Sequence, residues 1–425
     1  MKITDFRVHD IRFPTSASLD GSDAMNKDPD YSAAYVILKT DTKHQGHGFT
    51  FTIGRGNEIC CAAIKALMPL ILGLDFEDFK ANSAAIWKRL TGDSQLRWIG
   101  PEKGAIHLAA GALVNALWDL WGKEAQKPVY KLVADMSTKE LLSCIDFSYI
   151  TDCVSKSEAS VLLEAWGKGK EQREEVLLRE GYPCYTTSAG WLGYSEDKIR
   201  RLTKDAKDAG FTHIKLKVGR DLEDDKRRLK AVRDILGDEG VLMIDANQVL
   251  ERDEAIAWVQ ELSFAKPWFI EEPTSPDDIE AHRAIREALK PYGIEVATGE
   301  MMHNRVMFKQ FFMREALGIA QIDACRMGGV NEALAVLLMA AKLKIKVCPH
   351  AGGVGLCELV QHLSMIDYLR FSGDKEGRVI EYVDHLHEHF LDPVVVEKAA
   401  YMPPKLPGYS AQMYEESIRQ YEFKG

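Results

Sequence analysis

Residues 212–219 read THIKLKVG, residues 241–248 read VLMIDANQ and residues 267–273 read PWFIEEP. Each is a short apolar run that ends in charged or amide side chains, as a buried strand does at its mouth. Between the first two, Leu229, Val232 and Leu236 fall at helical spacing and Gly237 closes the stretch. The same unit recurs on both sides. Upstream, 183–187 is a strand followed by Ile199, Leu202 and Ala206 at helical spacing, with Gly210 as the cap. Downstream, 294–297, 319–322, 345–348 and 379–380 are further strands. Together with 214–218, 241–244 and 267–270 that makes eight strands separated by helices. Such regularity predicts a closed parallel α/β barrel of the TIM type rather than an open doubly wound sheet.

Before residue 180 the pattern differs. Segments 3–13 and 35–40 read as strands, 107–121 (HLAAGALVNALWDLW) as a helix apolar on most sides, and 168–180 as a charged helical surface insertion. Strands followed by helices predict an α+β domain. The chain has 425 residues, 46% hydrophobic and 28% charged, which excludes a disordered or fibrous protein. A net charge of −10 argues against a basic surface for nucleic acid or anionic membrane. There is no apolar run of ~18 residues to span a bilayer, and the start of the chain does not read as a signal peptide. Eight cysteines without a CxxC pair predict reduced thiols and a cytoplasmic protein.

The strand ends carry the chemistry. From Asp245, the intervals to Glu271, Glu300, Asp323, His350 and Glu381 are 26, 29, 23, 27 and 31 residues, one βα unit each. Polar residues so spaced meet at the C-terminal face of a barrel, where barrel active sites lie. Asp245, Glu271 and Glu300 would repel one another there unless protons or a metal relieve the repulsion. Hard oxygen ligands suit Mg²⁺, with Mn²⁺ as a substitute. Any one of them alone is equally well explained by a helix cap or a salt bridge. Lys215 and Lys217 point to one face of their strand. Two neighbouring ammonium groups should lower one pKa and free an amine as general base, although KxK alone also fits a solvated edge strand. Asp323 can orient His350 by accepting from one ring nitrogen, which leaves the other for proton transfer. Glu381 fits either a site or a cap.

Other features are discounted. His385, His387 and His389 cannot share a helix face and read as structural. Gly352–Gly355 lacks the Lys-Ser/Thr of a P-loop and reads as a tight turn beside His350 whose amides could hold an oxyanion. Arg55, Arg97 and Trp98 fit a substrate role and a surface role equally.

At this point the chain resembles the enolase superfamily, in its mandelate-racemase-like branch. RFPTS (12–16), GSDAMN (21–26), DYSAAY (30–35), FTIGRGN (51–57), DSQLRWIGPEKG (93–104), EEPTSPDD (271–278), PHAGGVGLCELVQH (349–362) and EYVDHLHEHF (381–390) are similar to acid-sugar dehydratases of the L-fuconate/L-galactonate type. The resemblance covers essentially the whole chain. It implies a (β/α)7β barrel with an α+β capping domain. The expected division is 1–140 for the cap, 141–180 for a helical insertion or connection, 181–390 for the barrel and 391–425 for a tail returning to the cap.

By the same resemblance Asp245, Glu271 and Glu300 hold Mg²⁺ and Lys217 takes the C2 proton. His350, paired with Asp323, expels the C3 hydroxyl of a small-molecule acid sugar. Lys215, Glu300 and Glu381 contact substrate, as do Gly21, Ser22, Asp23 and Tyr31 from a capping loop. ANQV (246–249), GEM (299–301) and SAGWLGY (188–194) are closer to the galactonate branch, in which Trp commonly stands at the position of Leu250. The implied reaction converts L-galactonate to 2-keto-3-deoxy-L-galactonate through an enediolate. The alternatives are L-fuconate dehydration, a racemase exchanging the C2 proton, and a silent barrel kept for binding. A homo-oligomer is compatible with each.

Overall fold

The computed structural model describes residues 1–424. Three antiparallel strands open it: β1 (Ile3–Arg12), β2 (Ser32–Thr40) and β3 (Gln45–Thr52), in the order β1-β2-β3. The third strand is absent from the sequence expectation, because QGHGFTFT carries two glycines and little apolar bulk. The structure explains them. A Cβ on Gly46 would lie 2.2 Å from the carbonyl of Ala116, and one on Gly48 would lie 2.3 Å from that of Ala112. Both carbonyls belong to the Gly104–Glu124 helix, so the alternate glycines let that helix lie flush on the sheet. Its other side meets the barrel, where a Cβ on Gly111 would come 2.3 Å from the Met327 carbonyl. Burial on both sides is why 107–121 is apolar all round.

The barrel has eight parallel strands: β4 (Tyr182–Thr186), β5 (His213–Lys217), β6 (Val241–Asp245), β7 (Pro267–Glu271), β8 (Glu295–Thr298), β9 (Ile319–Ala320), β10 (Lys346–Val347) and β11 (Ile380–Tyr382). The ladder runs β10-β9-β8-β7-β6-β5-β4, and β11 pairs with β4. Between β10 and β11 the ring is closed by one bond beyond the strands, from Glu381 N to Pro349 O at 3.2 Å. A helix follows each of the first seven strands, giving the (β/α)7β order. Strands β9 and β10 are shorter than expected. Past them the chain keeps bonding its neighbours without a regular ladder, as in Cys348 N to Ala320 O and His350 N to Ile322 O. Tyr185, Met243, Phe269, Ala297, Ile319, Cys348 and Val379 form an apolar plug. Met243 and Phe269 stand two residues before Asp245 and Glu271, hence on the same inward face.

The Lys170–Glu180 helix is mostly exposed but is no free insertion: Arg173 donates to the carbonyls of Trp166 and Leu369, and Lys131 pairs with Glu174. Beyond the barrel, β12 (Val395–Glu397) and β13 (Ala400–Met402) form a hairpin whose second strand pairs with β4. The chain then returns to the first sheet. Met413 N donates to the Tyr35 hydroxyl, and Phe423 N to the carbonyl of Asp10. No helix among the described residues is long and apolar enough to cross a membrane.

Candidate active site

Register brings the expected residues together. Lys217 is paired with Asp245 across β5 and β6, and Asp245 with Glu271 across β6 and β7. Glu300 follows Gly299, whose φ of 145° and proximity to Gln321 O leave no room for a side chain. Asp245, Glu271 and Glu300 each present an oxygen, all within 4.8 Å of one another. The Oε2 of Glu300 is buried and lacks a hydrogen-bond partner. The nearest cationic group, His350 Nε2, is 3.4 Å away and makes no hydrogen bond to it. Three convergent carboxylates with an orphaned buried oxygen fit a hard divalent cation.

The lysines depart from the sequence expectation. Lys215 is fully buried and bonds both oxygens of Glu271 at 2.8 and 2.7 Å, with Glu381 3.0 Å away. Lys217 lies 2.5 Å from Asp245. Burial pushes both ammonium groups down, but the facing carboxylates outweigh burial and mutual repulsion, so both pKa values rise. The expected neutral amine is therefore absent from this arrangement, because Asp245 holds the proton on Lys217. Conversely, burial and Asp245 push Glu271 up to about 8 despite Lys215. Glu381 is held low: burial raises it, but Lys215, His350 and Lys217 prevail.

His350 and Asp323 pair as expected, Nδ1 to Oδ2 at 2.7 Å. The other oxygen of Asp323 accepts from the amides of Cys325 and Arg326, which fixes the carboxylate. Burial pushes His350 down, while Glu300, Asp323 and Glu381 raise it to about 9. Gly352 makes room for this ring, since a Cβ there would sit 3.1 Å from Nε2. Within the Gly352–Gly355 turn the Gly353 amide donates to the Ala351 carbonyl, and just before it Ala351 N donates to Glu381, so neither amide is free for an oxyanion.

A cavity of about 280 Å³ lies between the barrel mouth and the N-terminal domain. Gly21, Asp23, Tyr31, Lys217, Glu300, Asp323, His350 and Glu381 line it. Two expected substrate contacts do not. Lys215 lies beneath, locked between Glu271 and Glu381. Ser22 turns inward, its Oγ donating to the Lys27 carbonyl. Leu250 is buried and lies outside the lining, Arg97 and the exposed Trp98 also lie outside it, and Arg55 is within it. The three histidines diverge: His385 stacks on Tyr31, His387 bonds Glu358, and His389 packs on Phe13.

Sequence reading missed Trp191, Asn247, Gln248 and Arg326, all of which face the cavity. Asn247 has φ 45° and a buried Oδ1 without a partner. Its signal was its place two residues after Asp245. Arg326 donates Nε to the Glu300 carbonyl, and only its place three residues after Asp323 could have marked it.

Two family descriptions match the chain: "Enolase C-terminal domain-like" over residues 198–417, and "Mandelate racemase / muconate lactonizing enzyme, N-terminal domain" over residues 24–134. L-Galactonate dehydratase of Hypocrea jecorina is 58% identical over 426 residues, covering 100% of this chain and 94% of that protein. The crystal structure of human Mitochondrial enolase superfamily member 1 has a TM-score of 0.98 at 53% identity, covering 99% of this chain and 96% of that one. L-Talarate/galactarate dehydratase from Salmonella typhimurium LT2, crystallised with Mg and L-lyxarohydroxamate, shares the fold with a TM-score of 0.75 at 24% identity, covering 98% and 91%. With both halves of the chain matched and relatives above 50% identity over nearly all of it, this protein belongs to the enolase superfamily.

Proposed function

We propose that this chain, an acid-sugar dehydratase and hence a carbon–oxygen lyase, acts on L-galactonate and yields 2-keto-3-deoxy-L-galactonate. The observation that carries the reading is one cavity holding Lys217 and His350 above three convergent carboxylates. Asp245, Glu271 and Glu300 would hold Mg²⁺, with Mn²⁺ as a substitute; the cation would supply positive charge that stabilises an enediolate, and Asp245 so engaged would release Lys217. Lys217, once released from Asp245, takes the C2 proton. His350, held toward its protonated form by Asp323 and Glu381, gives its proton to the departing C3 hydroxyl, and the C3–O bond breaks as water leaves. The resulting enol ketonises. Asp323 holds the imidazole in place, and Asp23 and Tyr31 close the cavity over the sugar chain.

The cap side of the cavity favours a polar end to the substrate through Asn26 and Arg55. A second reading, L-fuconate, rests on Met25, Phe51 and Ile53 in the same wall, which suit a terminal methyl group. All eight cysteines are buried and unpaired, which supports a reducing compartment such as the cytosol. The test is a screen of aldonic acids with Mg²⁺, with and without EDTA, scoring 2-keto-3-deoxy acids. L-Galactonate turned over faster than L-fuconate, and neither with EDTA, is the expected result. Faster L-fuconate turnover replaces the substrate, and no product from any aldonic acid overturns the reading.

A further inference from the structure

Lys217 ends a flexible four-carbon side chain, and a buried guanidinium stands directly behind its backbone. Arg228, on the Leu222–Leu236 helix, is 1% exposed. Its Nη1 donates to the carbonyl of Lys217 at 2.6 Å, and its Nη2 to those of Gly190 and Trp191 at 2.7 and 3.2 Å. Asp225, one turn earlier and also 1% exposed, lies 3.5 Å from Arg228 and accepts from the amide of Gly219. Arg228 Nε and Asp225 Oδ1 have no hydrogen-bond partner. A buried ion pair with unmet groups is a costly way to join a helix to a strand, where apolar packing would suffice. It stands where β5 delivers Lys217.

The carbonyls that Arg228 holds belong to the turn 188–194, SAGWLGY, which faces two ways. Toward the barrel, Lys217 N donates to the Gly190 carbonyl at 3.0 Å. The Trp191 ring lies 5.5 Å from Lys217 Nζ and forms part of the cavity wall. Gly190 sits so close to β5 that a Cβ would come 2.1 Å from the Lys215 carbonyl. Toward the cap, Leu192 N donates to the Ser22 carbonyl at 3.0 Å, and the Tyr194 hydroxyl to Asp20 at 2.7 Å. These bonds flank Gly21 and adjoin Asp23.

We propose that the turn 188–194, anchored by Arg228, couples the seating of residues 19–23 to the placement of Lys217, with Arg228 and Tyr194 as positioning residues for proton abstraction. The proposal rests on Lys217 being the base. Its logic is that of a shared strut: a capping loop that lets go of Leu192 and Tyr194 slackens the Gly190–Lys217 bond, and the amine loses its aim until the loop is seated again. Sub-ångström errors in such placement are expensive in rate.

The test compares Arg228→Met, Arg228→Lys and Tyr194→Phe in the full chain with Mg²⁺. Two readouts are used: turnover of the best aldonic acid, and amide hydrogen exchange of residues 19–26 and 213–219. Exchange needs no turnover, so it decides the coupling even where the dehydratase reading fails. Tyr194→Phe touches no reacting atom; coupling requires faster exchange in both segments, including the Lys217 amide, and where the enzyme turns over it lowers kcat about 5- to 20-fold. Exchange confined to 19–26, or a raised KM with kcat unchanged, overturns the proposal. Arg228→Met should lower kcat about 30- to 100-fold with KM within about 3-fold, in line with the cost of misplacing a catalytic group, and Arg228→Lys should restore part of it. If Arg228→Met fails to fold, Tyr194→Phe alone decides.

Discussion

The two walls of the cavity are built on different principles. At the barrel mouth, Lys217, Asp245 and Glu271 are the last residues of hydrogen-bonded parallel strands, and the backbone ladder sets their spacing. On the cap side, residues 13–31 contain one 3-10 turn, Thr15–Ser18, and are otherwise irregular. Side chains hold them. Thr15 donates to the Pro29 carbonyl and accepts from Tyr31 N, Asp30 accepts from Ser16, and Asp23 accepts from the amides of Met25 and Asn26. A replaced side chain at the barrel mouth therefore removes chemistry and leaves position intact. A replaced side chain in the loop removes position as well.

The largest expected effect tests the first half of that contrast. Lys217→Ala and His350→Asn should each lower kcat by about 10³-fold or more, at the upper end of general acid–base contributions, with unchanged circular dichroism. Turnover close to wild type in either would remove that residue from the mechanism. In the loop, Asp23→Ala should raise KM about 10-fold and lower kcat less, because two amide anchors are lost along with a cavity-facing carboxylate. Equal losses of kcat in loop and barrel variants would break the contrast.

A titration sharpens it further. In protein without added metal, nuclear magnetic resonance should place His350 near 9, and Asp323→Asn should move it down. Because the folded value lies above the ordinary one of about 6.5, the stabilisation from this group is complete below that pH and lost as pH rises through about 9. With Mg²⁺ bound the rate should also fall on the alkaline side if the imidazolium is the acid, at a lower pH than in metal-free protein because the cation offsets the Glu300 charge. The smallest effect belongs to Trp98, which is 90% exposed and outside the cavity. Trp98→Ala should alter thermal stability by less than about 0.5 kcal/mol and leave KM unchanged.

The same contrast explains what the sequence could and could not disclose. Asp245, Glu271, Glu300, Asp323, His350 and Glu381 recur once per βα unit, so periodicity alone puts them at one mouth. Nothing periodic marks Ser22 as a loop strut rather than a ligand, since its role depends on reaching Lys27 and Leu192. Strand β3 was hidden because Gly46 and Gly48 look like turn residues until the helix they accommodate is in view. The raised pKa of Lys217 in the metal-free arrangement is not visible in the KxK pair alone, because it comes from Asp245 at 2.5 Å. Trp191 reaches the cavity from a loop where sequence spacing carries no direction, and Asn247 and Arg326 are marked only by their places just after Asp245 and Asp323.

The glycine seam at Gly46, Gly48 and Gly111 fixes the gauge of the reaction chamber. Side-chain carbons at these positions would stand 2.2 to 2.3 Å from helix or loop carbonyls, where ordinary contact begins at 3.4 Å. The Gly104–Glu124 helix is thus a shim of set thickness between the two halves, and it also contributes Leu108 to the chamber wall. Thickening the shim by one methyl group would pry the roof from the floor and spoil the chamber for every sugar acid alike. Heritable change toward a longer or shorter substrate must therefore come from the loops at the rim, where a residue can be exchanged without lifting the roof.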